Sequence, residues 1–364
     1  MPRFLCVAVC LAWIACASPS RAQDAPEAPR PWLGVQTRLD TTIPGARVYV
    51  ANAGSPAALA GIQDDDVIQT VDGVTIADAS ALVAAISQRA VGSSVRLTVL
   101  RDRRRLTLNV TLAAAPPPRR YAVGEVFRDC DACPEMVVVP AGSFFMGSPT
   151  EEEGRTAQEG PRTLITVPRP FAISRHEITF AAWDACVQAG GCGGYVPPDQ
   201  GWGRGARPVI NVNLTDIRAF TKWLDRYAFG AIYALPPEAY WEYAARAGSD
   251  TPWATGSAII GDDANILGQY GRTVPVGSFP ANAFSLHDVH GNVRELTEGC
   301  VDVGYFGVPT DGDPSPSGNC SLRSTRGGSY ASLPAEARSA ARAPVPHSQR
   351  SSEIGFRVMR VLPD

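Results

Sequence analysis

Ala113-Ala114-Ala115-Pro116-Pro117-Pro118-Arg119-Arg120 is the stretch that divides this 364-residue chain. Three consecutive prolines fix φ and favour an extended, semi-rigid spacer. The residues before it are rich in valine, leucine and alanine, whereas every cysteine after residue 16 and most of the tryptophans follow it. Two modules are therefore expected, one over 31–114 and one over 127–364, joined by a Pro-rich linker over 115–126.

The N-terminus reads Met1-Pro2-Arg3, an apolar run from Phe4 to Ala17, and Ser20-Arg21-Ala22 before a polar stretch. This pattern predicts a signal peptide over 1–22 and an exported chain, periplasmic or secreted. A lipid anchor on Cys16 is the lesser alternative. Nothing later offers an apolar run of about eighteen residues, so no transmembrane segment is expected in the mature chain.

Six of the nine cysteines follow the signal segment: Cys130, Cys133, Cys186, Cys192, Cys300 and Cys320. An even count in an exported chain argues for disulfides, and grouping along the sequence suggests Cys130 with Cys133, Cys186 with Cys192, and Cys300 with Cys320. The one Cys-x-x-Cys pair has no second ligand pair for zinc. It lies beside Asp129 and Asp131 rather than the cationic surroundings of a reactive thiol, so a structural clip is expected. Formal charge is −3 with no basic stripe, which gives no reason to expect a nucleic-acid partner.

In the first module, 47–51 and 67–71 are short β-prone runs, and 95–100 and 106–112 alternate as half-buried strands. Residues 78–88 read as a helix with Leu82 and Ile86 on one face. Trp32-Leu33-Gly34-Val35, the run from Gly54 to Ile62, Asp66-Val67-Ile68 and Val71-Asp72-Gly73-Val74 resemble a bacterial PDZ domain of the kind attached to exported proteases. The resemblance implies recognition of peptide or protein C-termini: a strand added at a sheet edge and a carboxylate held by backbone N–H groups. Trp32, Leu33, Gly34 and Val35 would form the capturing loop. Leu82 and Ile86 would line the groove from the helix or serve as core. Gly327-Gly328-Ser329 has no His and Asp partners in sequence context, so a protease is not expected.

The second module shows three helices among irregular stretches: 180–189 capped by Thr179, 216–226 capped by Thr215, and one from Pro237 through Ala247. The class expected for the whole chain is α+β, a strand-rich domain followed by a loop-rich one. Six blocks resemble the formylglycine-generating-enzyme family, or sulfatase-modifying factors. They are Met136 to Ser148, Glu177-Ile178-Thr179, Arg207 to Val212, Leu235 to Arg246, Gly291-Asn292-Val293, and Arg326 to Tyr330 with Gly355-Phe356-Arg357. The resemblance implies a variant of the C-type-lectin-like fold.

In family members that oxidise a substrate cysteine, two cysteines after the Arg-Gly-Gly-Ser block bind copper, a soft-ligand site. The matching positions here hold Ser332 and Ala337, so the resemblance implies a missing copper site and a binding role without catalysis. A copper-dependent oxidoreductase and an envelope scaffold are the alternatives. The family's calcium loop matches Asp288, Gly291, Val293 and Glu295, with a possible second site at Asn265 and Ile266; two carboxylates and two carbonyls suit a hard cation. His176, His287, His290 and His347 show no paired metal-ligand spacing and are expected to be surface or hydrogen-bonded residues. Trp202 lies in a polar loop suited to binding a sugar or peptide, or fills a loop-rich core. Glu151-Glu152-Glu153 is expected to be a solvated patch.

Overall fold

The computed structural model describes residues 29–40, 42–229, 232–314 and 318–362. The expected signal segment lies outside them.

Five antiparallel strands in spatial order β1 to β5 build the first module: Val35–Arg38, Ala46–Ala51, Val67–Val71, Ser94–Arg101 and Arg104–Thr111. β1 lies at one edge with β2 as its only sheet neighbour. The alternation read in the sequence is realised in β4, where Val95, Leu97 and Val99 are buried while Ser94 and Arg96 face solvent. Helix α1, Ala79–Ser87, starts where Asp78 accepts a hydrogen bond from the Ala81 N–H at 2.8 Å. Leu82 and Ile86 are packed into the core with Val48, Ile68 and Leu97. Their i,i+4 stripe therefore serves the core. Each such buried side chain contributes about 1.5–3 kcal/mol.

The second module centres on a five-stranded antiparallel sheet. β6, Met136–Val139, and β7, Phe171–Ser174, are its middle strands, flanked by Val126–Phe127 on one side and by Met359–Arg360 and Tyr233–Ala234 on the other. Helix α2, Phe180–Gln188, is capped by Thr179 as expected. Helix α3 runs Leu214–Asp225, and its cap is Asn213 rather than Thr215. The Asn213 side chain accepts from Asp216 N–H and the Asp216 carboxylate accepts from Asn213 N–H, a reciprocal pair that Thr215, one residue inside the helix, has no means to form. Helix α4, Glu238–Arg246, follows Pro237 and ends at Ala247 in a left-handed turn. Trp183 stacks on Phe220, and Phe356 meets both rings edge-on, which packs α2, α3 and the Gly355-Phe356-Arg357 block into one core. A smaller sheet holds β8, Arg294–Leu296, β9, Leu322–Arg326, and β10, Arg342–Pro346, with Ile354–Gly355 parallel to β8. All three expected disulfides are present.

Buried arginines hold the irregular stretches together. Arg326 reaches Glu238 and Glu242, Arg338 reaches Glu152 and Glu159, and Arg357 reaches Glu295. Glu152 thus leaves the solvated patch expected of the glutamate run, its carboxylate taken inward by Arg338.

The proline stretch does not hold the modules apart. Ala113–Ala114 pairs with Pro31–Trp32, and the Ala115 N–H donates to the Arg30 carbonyl. The exposed carbonyls at the end of α3 are then capped from the first module. Gln36 Nε2 donates to the carbonyls of Asp225 (3.0 Å) and Ala228 (3.1 Å), Asn52 Nδ2 donates to Asp225, and the Ala53 N–H donates to Arg226. Tyr49 donates to the Asp225 carboxylate, and Arg226 and Lys222 pair with Asp64.

Candidate functional site

β9 ends at Arg326, and the chain reverses through Gly327 and Gly328, both with positive φ. The reversal brings the two positions of interest together. A Cβ on Gly328 would lie 3.2 Å from Ser332 Cβ and 3.0 Å from Ala337 Cβ, so the sixth block folds Ser332 and Ala337 around one point. The Ser332 hydroxyl accepts from the Ser329 N–H at 3.0 Å and from Arg294 at 2.9 Å. Ser329 Oγ donates to Glu353 at 2.7 Å, and Arg294 extends to Glu336 at 3.3 Å. Trp202, half-buried, meets the Tyr330 ring edge-on at 5.4 Å, and the Tyr330 and Ser352 hydroxyls are 3.4 Å apart.

Beneath this network His290 is buried between two backbone groups. Its Nε2 accepts from the Ala254 N–H at 2.9 Å, which leaves Nδ1–H to donate to the Ala337 carbonyl at 2.8 Å. Burial therefore holds the ring neutral, with its pKa pushed down to about 4. Both ring nitrogens are occupied, so His290 is not placed to act as a base toward Ser329 or Ser332. Those two hydroxyls are themselves buried.

Hydroxyls, a guanidinium and carboxylates make a hydrogen-bonding cluster, and none of them is a soft ligand. All six cysteines of the described residues are in disulfides, leaving no thiolate for copper among them. The donor set does not fit a Cu(I) centre.

The expected calcium residues are differently engaged. Glu295 accepts two hydrogen bonds from Arg357, at 2.5 and 2.6 Å, and a third from Trp241 Nε1 at 2.6 Å, so its carboxylate is turned to a guanidinium and an indole. Asp288 accepts from the Gly277 N–H at 2.6 Å and keeps one buried oxygen without a partner; burial pushes its pKa up to about 6. The Val293 N–H donates to Glu177, a buried carboxyl whose pKa burial also raises, while the Gly291 N–H donates to Gly327. Asn265 bonds to Asn292, whose N–H donates to the Asn265 carbonyl. Ile266 is buried among apolar neighbours. No group of three or more His, Cys, Asp or Glu side chains is arranged to hold a metal among the described residues. The two carboxylates of the expected calcium set thus differ, Glu295 being committed to Arg357 and Trp241 while Asp288 keeps one buried oxygen open.

The expected peptide loop lies at the open edge of the first module. The Leu33 carbonyl accepts from Ala57 N–H, and the Gly34 carbonyl accepts from Asn52 N–H and Ser55 Oγ. Across a trans peptide the N–H opposes the preceding carbonyl, so the N–H groups of Gly34 and Val35 point away from that body. Gly34 has φ +83°, and a Cβ there would fall 2.2 Å from Ser55 Cβ, which confines the position to glycine. The Val35–Ala51 register, with the Asn52 N–H on the Gly34 carbonyl, turns the Val35 backbone groups to the free edge. Trp32 packs over Gly34 and, edge-on, against Phe229 of the second module.

His290 is hydrogen-bonded, one of the two expectations for it, whereas Arg294 and Glu353 were not singled out from the sequence. Each lies within two residues of a recognised block, and that proximity was the available signal.

Comparison with known proteins agrees with this division. The profile of the sulfatase-modifying factor enzyme 1-like domain matches residues 122–362, and that of the PDZ domain matches 31–112. A formylglycine-generating enzyme of Mycobacterium tuberculosis is 28% identical over 309 residues, covering 61% of this chain and 96% of that protein. The solved structure of PvdO from Pseudomonas aeruginosa is 38% identical with a TM-score of 0.60, covering 67% of this chain and 100% of that one. A probable periplasmic DegP-like serine endoprotease of Brucella suis is 36% identical over 97 residues, which span 24% of this chain and only 19% of that protein.

Proposed function

Because the chain belongs to the sulfatase-modifying factor enzyme 1-like family, with a PDZ domain before the family domain, we propose that it is an exported binding protein whose family domain binds rather than oxidises. The PDZ module takes the C-terminus of a peptide or protein along β1, and the family domain binds a second ligand. The observation that carries this reading is the convergence of Ser332 and Ala337 on one point, while every cysteine of the described residues is tied in a disulfide elsewhere. Three disulfides and the likeness to a protein described as periplasmic support export. No helix of the described residues is long and apolar enough to cross a membrane.

Two measurements on the full chain test this. Copper titration with oxygen-uptake assays on a cysteine peptide should show no uptake above the buffer rate; uptake would establish the oxidoreductase alternative. Capture from a C-terminal peptide library should enrich sequences with free carboxylates and lose them on amidation. Absence of enrichment would remove peptide recognition and favour the scaffold reading.

A further inference from the structure

Where the two modules and the proline stretch meet, they enclose a cavity of about 420 Å³, a size typical of small-molecule sites at domain boundaries. One wall is Pro116, Pro117 and Pro118. A second is aromatic: Trp32 from the first module, with Tyr227 and Phe229 from the second. The Trp32 and Phe229 rings meet edge-on at 5.6 Å. The third wall is cationic. Arg30, Arg119, Arg128 and Arg360 line the cavity, and Asp129 is the one carboxylate among its lining residues.

The guanidiniums are held in place. Arg360 bonds the Tyr121 hydroxyl at 2.8 Å and pairs with Asp129, while Arg119 lies 4.8 Å from the Tyr121 ring centre. The walls are fixed to one another as well, because Ala113–Ala114 is zipped to Pro31–Trp32 and Gln36, Asn52 and Ala53 clamp the end of α3. Arg119 pairs with Glu125 at 2.8 Å, Arg128 with Glu135 at 3.2 Å and Arg360 with Asp129, and each pairing uses only part of a guanidinium's fork of five N–H donors, so the gathered arginines keep donors for the oxygens of an anion. Planar apolar walls beside them favour a flat ring. We infer that this intermodule cavity binds an aromatic carboxylate, the acid group meeting the arginines and the ring lying between the prolines and the Trp32–Phe229 pair. The site adjoins the peptide loop through Trp32, which also packs over Gly34, and lies apart from the cluster around Ser332; it holds whether or not either binds a ligand.

Calorimetric titration of the full chain with 2-naphthoate, against the isosteric neutral 2-naphthamide, tests it. The acid should bind and the amide should bind about tenfold more weakly, the loss expected when a charge-assisted hydrogen bond is replaced by a neutral one. Arg119→Ala and Phe229→Ala should each weaken the acid about fivefold or more, one by removing charge and the other ring contact. Arg218→Ala, an exposed arginine outside the cavity, should leave binding unchanged. Arg119 and Phe229 are both well exposed, so truncation should leave the fold intact, which circular dichroism checks. Equal binding of acid and amide, no binding of either, or acid binding unmoved in both folded variants would overturn the assignment. Should a variant unfold, the acid-against-amide comparison on the unaltered protein still decides it.

Discussion

Replacing Gln36 by alanine removes the side chain that ties the peptide-receiving strand to the second module. Gln36 Nε2 donates to the carbonyl of Asp225, the last residue of α3, at 3.0 Å and to that of Ala228 beyond it at 3.1 Å, and both bonds are partly buried. A net contribution of roughly 0.5–1.5 kcal/mol per bond gives about 1–3 kcal/mol for the pair. The upper half of that range applies if the Ala228 carbonyl is left dry. The Asp225 carbonyl keeps its bond from Asn52 and the Arg226 carbonyl its bond from Ala53, so the modules should loosen rather than separate. In a module of under 100 residues, 1 kcal/mol corresponds to roughly 4–8 °C in Tm. Differential scanning calorimetry should therefore show the first module's transition moving down by roughly 4–24 °C and separating from the second. Proteolysis at Arg119 and Arg120 should accelerate, because that exposed stretch is held less rigidly once the modules on either side of it loosen. Gln63→Ala, an exposed glutamine of the same module, is the control. An unchanged Tm together with unchanged cleavage at 119–120 would refute the docked arrangement.

Two further outcomes follow from the buried site. Calcium added to EDTA-treated protein should leave Tm where it was, since Arg357 and Trp241 already engage Glu295; a rise of several degrees would show that this carboxylate turns to a cation instead. His290 has its pKa lowered from 6.5 to about 4 by burial. The unfolded chain therefore takes up the proton first, and the stability that neutral His290 supplies is complete above pH 6.5 and lost as pH falls towards 4. The stability advantage of the protein over a His290→Gln variant should shrink over that window, by an upper limit of about 3 kcal/mol. Buried Asp288, with a pKa raised to about 6, changes stability in the opposite direction below pH 6, but it is common to both proteins and cancels in the difference. A difference that stays constant with pH would show that His290 takes up its proton as readily in the folded chain as in the unfolded one.

Local chemistry was legible in the sequence wherever it was local in cause. Period-two alternation placed β4, the Leu82–Ile86 spacing and Thr179 announced their helices, and nearest-neighbour grouping gave the disulfides. The order of short blocks was enough to identify both modules, because each block keeps a backbone path that few residues tolerate, as Gly34 and Gly328 do. The cap of α3 went to Asn213 because two polar candidates two residues apart differ only in which carboxylate answers them, and Asp216 answers Asn213.

What the tertiary structure alone decided is the partner of each charge. Glu295, read as a calcium ligand, is held by Arg357, sixty-two residues away, and Glu152, read as solvated, is held by Arg338. Arg294 beside Ser332, and four arginines gathered around one cavity, belong to segments that nothing in the linear order connects. An ion pair needs no sequence period and no particular spacing, only proximity after folding. The proline stretch follows the same logic. Its stiffness was evident from composition, yet whether it separates the modules or seams them depends on hydrogen bonds that Gln36, Asn52 and Ala53 make to the end of a distant helix.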